Sequence, residues 1–297
     1  MTNIKQKLHT YAKSLNISDI GVCDAREYTE LLPRLMRQIP FAVSADKRIS
    51  PSQLLDGAKS VIMCAFNYYT GDSNDTSGNA NANLARYARG KDYHNVVTAK
   101  LDALAAAIQA DYPDMKAAAF CDNSPMCDKY LAYLAGLGFW GRNSLLIHPV
   151  FGSYTFIGGI ITDLYIEADM PLEQKNCSGC GNFERARCAA TCPAKAITAD
   201  GVDAFACVSR LTQKKGTLTE CETAAIQQCG NVWGCDICAD VCPHNAGVPV
   251  TDINEFLNNL IYTLDKDTLL DTDLTGRAFA WRGKDVLMRN IELTSGL

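Results

Sequence analysis

The chain contains the stretch Cys235-x2-Cys238-x3-Cys242-Pro243, preceded by the related stretch Cys177-x2-Cys180-x7-Cys188-x3-Cys192-Pro193. Bacterial ferredoxins with two [4Fe–4S] clusters use the pattern Cys-x2-Cys-x2-Cys-x3-Cys-Pro, and the fourth cysteine of each pattern binds the other cluster. The two stretches therefore predict two [4Fe–4S] clusters whose ligands cross between the motifs. A chain built around such clusters is an electron-transfer or redox protein.

The crossed pattern assigns ligands to each cluster. Cluster one is predicted to bind Cys177, Cys180, Cys188 and the distant Cys242. Cluster two is predicted to bind Cys192, Cys235, Cys238 and one further cysteine, for which the candidates are Cys207, Cys221 and Cys229. Seven residues separate Cys180 from Cys188 instead of the usual two, so the additional residues must form a loop. A structural zinc site is the alternative, but the two Cys-x3-Cys-Pro endings favour iron–sulfur clusters.

Composition limits the class of protein. The chain has 297 residues, of which 47% are hydrophobic and 21% charged, as in soluble globular proteins. Ten of its 14 cysteines lie between Cys177 and Cys242, and no export signal precedes them, which predicts cytoplasmic metal chemistry and no disulfide framework. No apolar run approaches membrane-spanning length, so we expect no membrane association. A net charge of −5 argues against broad nonspecific nucleic-acid binding.

Hydrophobic periodicity predicts an α+β or α/β fold. Residues 1–165 alternate predicted helices and strands and are expected to form an α/β domain. Residues 166–250 are expected to form a ferredoxin-like domain with two [4Fe–4S] clusters, and residues 251–297 a short helical C-terminal segment. The predicted helices are Asn3–Leu15, the apolar pattern Val96–Ile108 and Asp128–Leu137. The predicted strands are Asp19–Cys23, Ser60–Tyr69, Lys116–Cys121 and Tyr154–Leu164, the last bent at Gly158-Gly159.

Three stretches of the first half carry candidate functional residues: Arg86–His94, Asp122–Pro125 and Gly136–Ser144. Asp122 follows a predicted strand, where catalytic groups are common in α/β folds, but an aspartate there also caps helices. His94 is equally compatible with a surface position, and His148, before Pro149, with closing a turn. Glycine-rich segments such as Gly136–Ser144 allow a close backbone approach to a bulky ligand.

The order of these motifs resembles the epoxyqueuosine reductase family, cobalamin-dependent enzymes that catalyse the last step of queuosine synthesis in tRNA. The wider family includes reductive dehalogenases. The resemblance is carried by Arg86–His94, Asp122–Lys129, Gly136–Gly152 and Gly234–Asn245. The Glu-Arg pair that the family has after its aspartate is Asp128-Lys129 in this sequence.

The resemblance implies that the α/β domain binds cobalamin and that Asp122 is the proton donor. It also implies that Cys207, in Cys207-Val208-Ser209, is the fourth ligand of cluster two. The cofactor-binding residues that it implies are Tyr87, His94, Asp122, Trp140, Asn143, Ser144, His148, Ser209, Cys235 and Asp236.

The implied activity is reduction of epoxyqueuosine in tRNA, with electrons from an external donor such as ferredoxin or flavodoxin, in a monomeric protein. If tRNA binds, basic residues are expected to contact it. The candidates are Arg89, Lys91, Arg210, Lys214, Lys215, Arg282, Lys284 and Arg289. Two alternatives remain: a reductase or reductive dehalogenase of a small molecule with the same cofactors, and a ferredoxin-like electron carrier or corrinoid-reducing partner.

Overall fold

The structure is a computed structural model that describes residues 4–37, 45–71, 82–172, 177–180, 185–271 and 273–295. The chain divides into two compact units. The sheet unit comprises Met1–Phe66, Val96–Phe139 and Thr155–Gln174. The cysteine unit comprises Asn67–Asn95, Trp140–Tyr154 and Lys175–Leu297. Both units are therefore assembled from segments that are not contiguous in sequence.

The described helices and strands alternate through the first half of the chain. Strands β1 to β8 are, in order, Asp19–Asp24, Ser60–Asn67, Ala117–Phe120, Phe139–Trp140, Leu146–Ile147, Thr155–Thr162, Ile197–Thr198 and Gly201–Val202. Helices α1 to α12 are Ile4–Ser14, Leu32–Arg37, Ala45–Ile49, Tyr93–Asp111, Asp128–Leu134, Arg187–Thr191, Val208–Leu211, Glu220–Cys229, Ile237–Asp240, Asn254–Leu257, Lys266–Asp271 and Lys284–Thr294. The predicted helices and strands of the first half are present, with ends shifted by a few residues; Asn3 lies outside the described residues.

A four-stranded sheet in the order β1-β2-β6-β3 organises the sheet unit. β1 pairs antiparallel with β2, and β3 pairs antiparallel with β6. Of the two predicted fold classes, α+β is the one that such antiparallel pairing fits. Every residue of β2 is buried, which explains its continuous apolar sequence. Helix α4 buries Val97, Leu101 and Leu104 completely and ends at Asp111, before Pro113.

The glycine pair of β6 differs from the prediction, because β6 is one eight-residue strand and not two strands bent at Gly158-Gly159. A Cβ atom on Gly158 would lie 2.8 Å from Leu101 Cδ1, and one on Gly159 would lie 2.7 Å from Met63 Sδ. The two glycines therefore allow neighbouring side chains to pack closely against the strand.

The segment after β3 has an unusual backbone. β3 ends at Phe120. Asp122 has a φ of +55°, in the left-handed region that residues other than glycine, asparagine and aspartate rarely adopt. Helix α5 then begins at Asp128, and its N-cap is Cys127, without a side-chain capping hydrogen bond. Asp122 is thus not the cap of this helix.

The cysteine unit has short helices around the cysteines and a core formed with the C-terminal segment. Trp233 packs in one cluster with Leu269, Phe279 and Leu287. Asn290, on α12, is fully buried and donates to the carbonyl oxygens of Thr212 (2.7 Å) and Val232 (2.8 Å). Residues 251–297 therefore belong to the same compact unit as the cysteines. As functional domains, the segments 1–165, 166–250 and 251–297 stay a prediction.

None of the helices in the described ranges is both long enough and apolar enough to cross a membrane.

Candidate iron–sulfur centre and active site

One cavity in the cysteine unit brings together the four cysteines predicted for cluster one. It contains about 330 Å³ of empty space, part of which is open solvent. Its lining includes Cys177, Cys180, Cys188 and Cys242, together with Arg142, Asn143, Arg187 and His244. Cys242 reaches this cavity from the second motif, so the four thiols have the crossed arrangement that the spacing predicts. Four cysteine thiols around a cavity fit the ligand set of a [4Fe–4S] cluster.

The cysteines predicted for cluster two are also neighbours. Burial is the main cause that raises the pKa of the Cys207 thiol, and the nearby Cys235 and Cys192 raise it further. Burial likewise raises the pKa of Cys238, with contributions from Cys235 and Cys207. Iron binds the thiolate form, so cluster assembly at this site must displace protons.

The three candidates for the last ligand of cluster two have different surroundings. Cys207 lies near the other three predicted ligands. Cys221 is exposed on α8. Cys229, at the end of α8, shares a thiol hydrogen bond that raises the pKa of Cys235. This geometry favours Cys207, the residue that the resemblance implied, as the fourth ligand. Cys229 is a close neighbour of the predicted ligand Cys235.

A short loop contacts a cysteine of each predicted cluster. The Arg142 peptide N–H donates to Cys177 Sγ at 3.4 Å, and the Asn143 side chain hydrogen-bonds Cys238. A Cβ atom on Gly141 would lie 2.7 Å from Asn143 Oδ1, so only glycine leaves room for this side chain. Hydrogen bonds to sulfur ligands tune cluster potentials. Asn143, expected to line a cofactor pocket, thus also contacts a predicted cluster ligand.

The first-half motif Arg86–His94 is bound to the second cysteine motif. The buried Asp236 carboxylate accepts the Arg86 peptide N–H at 2.7 Å, and its Oδ2 lies 3.7 Å from Arg86 Nη1. Burial raises the pKa of Asp236, whereas Arg86 opposes that shift. Tyr87 packs on Gly234, where a Cβ atom would come within 2.8 Å of Tyr87 Cε1. Three sequence motifs therefore meet around the Gly234–Cys238 turn. They are Arg86–His94, through Arg86 and Tyr87, Gly136–Ser144, through Asn143, and the second cysteine motif itself.

The remaining predicted cofactor-binding residues lie in several settings. His94 Nδ1 is 2.8 Å from Asp92 Oδ1, and its ring stacks on Tyr93 at 4.1 Å. His148 is buried, and its Nδ1 accepts the peptide N–H of Val150 at 3.1 Å, which closes a turn. Trp140 lies in β4, Ser144 in the turn that follows β4, and Ser209 in α7. Of the ten predicted residues, only Asp122 belongs to the sheet unit.

The Asp128 carboxyl group contacts the backbone of Asp122 just after the end of β3. Asp122 is exposed, and its peptide N–H donates to Asp128 Oδ2 at 3.1 Å. Asp128 Oδ1 is shielded from solvent and has no hydrogen-bond partner among the described residues. Burial, together with the nearby Asp122, raises the pKa of Asp128 to about 7. Sequence reasoning did not assign Asp128 a role; the only signal was that it takes the place of the family's glutamate.

The basic residues proposed to contact tRNA divide into two groups. Some bind within the protein: Arg89 Nε donates to Leu84 O at 2.9 Å, Arg289 Nη1 to Lys214 O at 2.7 Å, and Lys214 pairs with Glu222 at 2.7 Å. Others lie at the surface beside exposed aromatic rings. Arg210 lies 4.2 Å from the ring centroid of Phe205, and Arg282 lies 3.5 Å from that of Trp281. Lys91, Lys215 and Lys284 are exposed.

Comparison with known proteins extends these observations. The family model "Epoxyqueuosine reductase QueG, DUF1730" matches residues 48–123, and "4Fe-4S double cluster binding domain" matches residues 176–245. The epoxyqueuosine reductase of Lactococcus garvieae is 32% identical over 314 residues, which cover 100% of this chain and 87% of that protein. That of Leadbetterella byssophila is 35% identical over 268 residues, with coverage of 87% and 85%.

Solved structures give the same result. The epoxyqueuosine reductase of Streptococcus thermophilus has a TM-score of 0.86 and 28% identity, covering 99% of this chain and 81% of that chain. An epoxyqueuosine reductase in complex with an epoxyqueuosine-modified tRNA-Tyr stem loop has a TM-score of 0.82 and 28% identity, with coverage of 98% and 80%.

The match to the 4Fe-4S double cluster binding domain defines an iron–sulfur oxidoreductase with two [4Fe–4S] clusters and favours these clusters over the zinc alternative. Its sequence similarity, sustained along the whole chain, is to one kind of enzyme. The chain belongs to the epoxyqueuosine reductase family. The match to the 4Fe-4S double cluster binding domain assigns two [4Fe–4S] clusters to this chain as cofactors.

Proposed function

We propose that this protein reduces epoxyqueuosine to queuosine in tRNA. The observation that carries the proposal is the set of predicted cluster ligands gathered in one unit, in a chain related along its length to epoxyqueuosine reductases. The related enzyme solved with a modified tRNA stem loop supports tRNA as the partner. The test is conversion of epoxyqueuosine-containing tRNA by anaerobically prepared protein. Absence of product with both cofactors loaded would contradict the proposal.

The predicted ligand cysteines would hold two [4Fe–4S] clusters, which would supply electron transfer from an external donor such as ferredoxin or flavodoxin, in a monomeric cytoplasmic protein. The cavity lined by the four cluster-one cysteines is partly open to solvent, which would suit a cluster held there to receive electrons. The Arg142-Asn143 loop contacts a predicted ligand of each cluster and thereby fixes the position of one predicted cluster site relative to the other. The Gly234–Cys238 turn, which would carry two ligands of cluster two, contacts Tyr87 and Asn143.

The residues that meet at the Gly234–Cys238 turn would hold cobalamin, with Tyr87, Asn143, Cys235 and Asp236 among them. When bound, reduced cobalamin supplies the nucleophile or electron donor toward the epoxide. The buried ion pair of Arg86 with Asp236 fixes this turn, so that the ligand cysteines on it keep their orientation. Asp122 delivers a proton to the oxygen of the opening epoxide ring.

We expect Cys207→Ser to lose one of the two clusters. Eight cysteine ligands imply about eight iron atoms per chain, so the variant should retain about four. Cys221→Ser is the matched control, because Cys221 is exposed, and it should keep the full iron content. Iron and sulfide analysis of anaerobically purified protein measures the difference. If Cys229→Ser loses four irons while Cys207→Ser does not, Cys229 is the fourth ligand.

We expect the exposed Arg210 and the half-buried Arg282 to contact tRNA, because each lies on an exposed ring where a phosphate or base can approach. Binding of tRNA should weaken steeply with salt. In the double variant Arg210→Ala/Arg282→Ala, the slope of log K against log salt should fall by about 2, roughly one unit for each lost phosphate contact.

The control for this measurement is Arg26→Ala, an arginine of the sheet unit that pairs with Glu30 at 2.6 Å. It should leave both affinity and salt slope unchanged. Equal slopes for the double variant and the wild type would remove both arginines from the tRNA interface. A protein that binds no tRNA even at low salt would instead point to a small-molecule substrate.

A further inference from the structure

The proposed reaction needs more protons than Asp122 alone can hold. Epoxyqueuosine has an epoxide oxygen that queuosine lacks, and that oxygen leaves as water. Balancing atoms and charge requires two electrons and two protons for each turnover. Asp122 stores one proton at a time, so its proton must be restored within the cycle, from solvent or from a second acidic group.

Asp128 lies where such a group is needed. Its Oδ2 accepts the peptide N–H of Asp122 at 3.1 Å, which places the carboxyl group against the backbone of the residue proposed as the acid. Its Oδ1 is shielded from solvent and has no hydrogen-bond partner among the described residues. A shielded carboxylate with one unsatisfied oxygen is costly, whereas the neutral acid carries a proton on that oxygen. Desolvation of the charge therefore favours the protonated form, against the hydrogen bond from the Asp122 peptide N–H, which lowers the pKa of Asp128.

The surrounding charges act on the pKa of Asp128 in both directions. Burial is the largest cause that raises the pKa of Asp128, to about 7, and the charge of Asp122 adds to it. Lys129, on the same helix, opposes the shift. Helix α5 packs against β1 and β6; β1 carries Asp19, Cys23 and Asp24, whereas β6 has no titratable side chain. In the same first turn of α5, Tyr130 donates to Glu30, which pairs with Arg26.

We propose that Asp128 is a positioning residue that holds the Asp122 loop and returns a proton to Asp122 during turnover. The inference rests on the proposed role of Asp122 as the acid. After Asp122 gives its proton to the substrate oxygen, the neutral Asp128 transfers its own proton to the Asp122 carboxylate, directly or through one water molecule. Asp128 then regains a proton from solvent. No electrons move in this exchange, and the electron balance stays with the clusters.

The substitution Asp128→Asn tests the proton transfer. Asparagine keeps an oxygen that can accept the Asp122 N–H but carries no acidic proton, so the loop should keep its position. In the wild type, kcat should fall as pH rises through about 7, because the raised pKa of Asp128 leaves its acid form populated only below that value. In Asp128→Asn this decline should disappear, and kcat at pH 6 should fall roughly tenfold, less than for loss of a direct general acid.

The matched control is Asp163→Asn. Asp163 also accepts a peptide N–H through its carboxylate, that of Lys116 at 2.8 Å, in the same unit. It should keep both the wild-type rate and the wild-type pH profile. Asp128→Glu, which introduces the family's residue, should restore the pH-dependent decline. Amide hydrogen exchange at Asp122 supplies a readout independent of turnover: protection should persist in Asp128→Asn and be lost in Asp128→Ala.

A pH profile of Asp128→Asn identical to the wild type would overturn the inference. The control Asp122→Asn separates this failure from failure of the proposed function. An inactive Asp122→Asn with an unchanged Asp128→Asn profile would remove only the role of Asp128. An active Asp122→Asn would remove the acid itself.

Discussion

Replacing Asp122 by asparagine should lower kcat by roughly 10²–10⁴, the range that general acid catalysis contributes. Asparagine has the shape of aspartate but cannot deliver a carboxylic proton to the epoxide oxygen. It also tolerates the left-handed backbone at this position, where φ is +55°, so the loop should keep its conformation. Single-turnover rates with epoxyqueuosine-containing tRNA measure the effect.

Three further measurements distinguish loss of the acidic proton from damage to the surrounding structure. Cobalamin binding and iron content should be unchanged in Asp122→Asn, since neither cofactor needs this carboxylate for ligation. Asp122→Ala should lose activity to a similar extent and should also lower the free energy of unfolding by about 1 kcal/mol, because alanine is disfavoured in the left-handed region. Near-normal turnover in Asp122→Asn would mean that the proton comes from another group. A helix-capping role is already excluded, because the N-cap of α5 is Cys127.

The sequence predicted those features that depend on short-range spacing. The helices and strands of the first half follow local hydrophobic periodicity, and the crossed cysteine assignment follows the constraint that a four-cysteine cluster places on two neighbouring motifs. The glycine pair of β6 was misinterpreted because a glycine in a strand signals either a bend or close packing, and only the neighbours Leu101 and Met63 distinguish them.

Other features could not be predicted because they depend on residues that are distant in sequence. The two compact units are assembled from interleaved segments, which a linear division of the chain at residues 165 and 250 does not represent. Arg89 and Arg289 look like surface charges in the sequence, yet both donate to backbone carbonyl oxygens. The raised pKa of Asp128 arises from burial and from the fold of the Asp122 loop over it, neither of which is visible in the sequence.

The crossed ligand arrangement makes a second prediction with a large effect, because pairs of cysteine substitutions distinguish it from an uncrossed one. If Cys242 binds cluster one, Cys177→Ser/Cys242→Ser damages a single cluster and should retain about four irons. Cys177→Ser/Cys192→Ser then damages both clusters and should retain almost none. In an uncrossed arrangement, in which each motif holds its own cluster, the two results would be exchanged.

Iron analysis combined with electron paramagnetic resonance of the reduced protein measures the remaining cluster in each double variant. Cys177→Ser/Cys221→Ser is the control, because it changes two cysteines but only one predicted ligand, and it should match Cys177→Ser alone. The structure favours the crossed outcome, since Cys242 lines the same cavity as Cys177, Cys180 and Cys188. The crossing also has a structural consequence. Removing Cys242 should leave the cluster-one cavity with three of its four thiols, all of them from the first motif. The loss should therefore weaken the segment around Cys177–Cys188 more than the Cys235–Cys238 turn, which Arg86 continues to hold through Asp236.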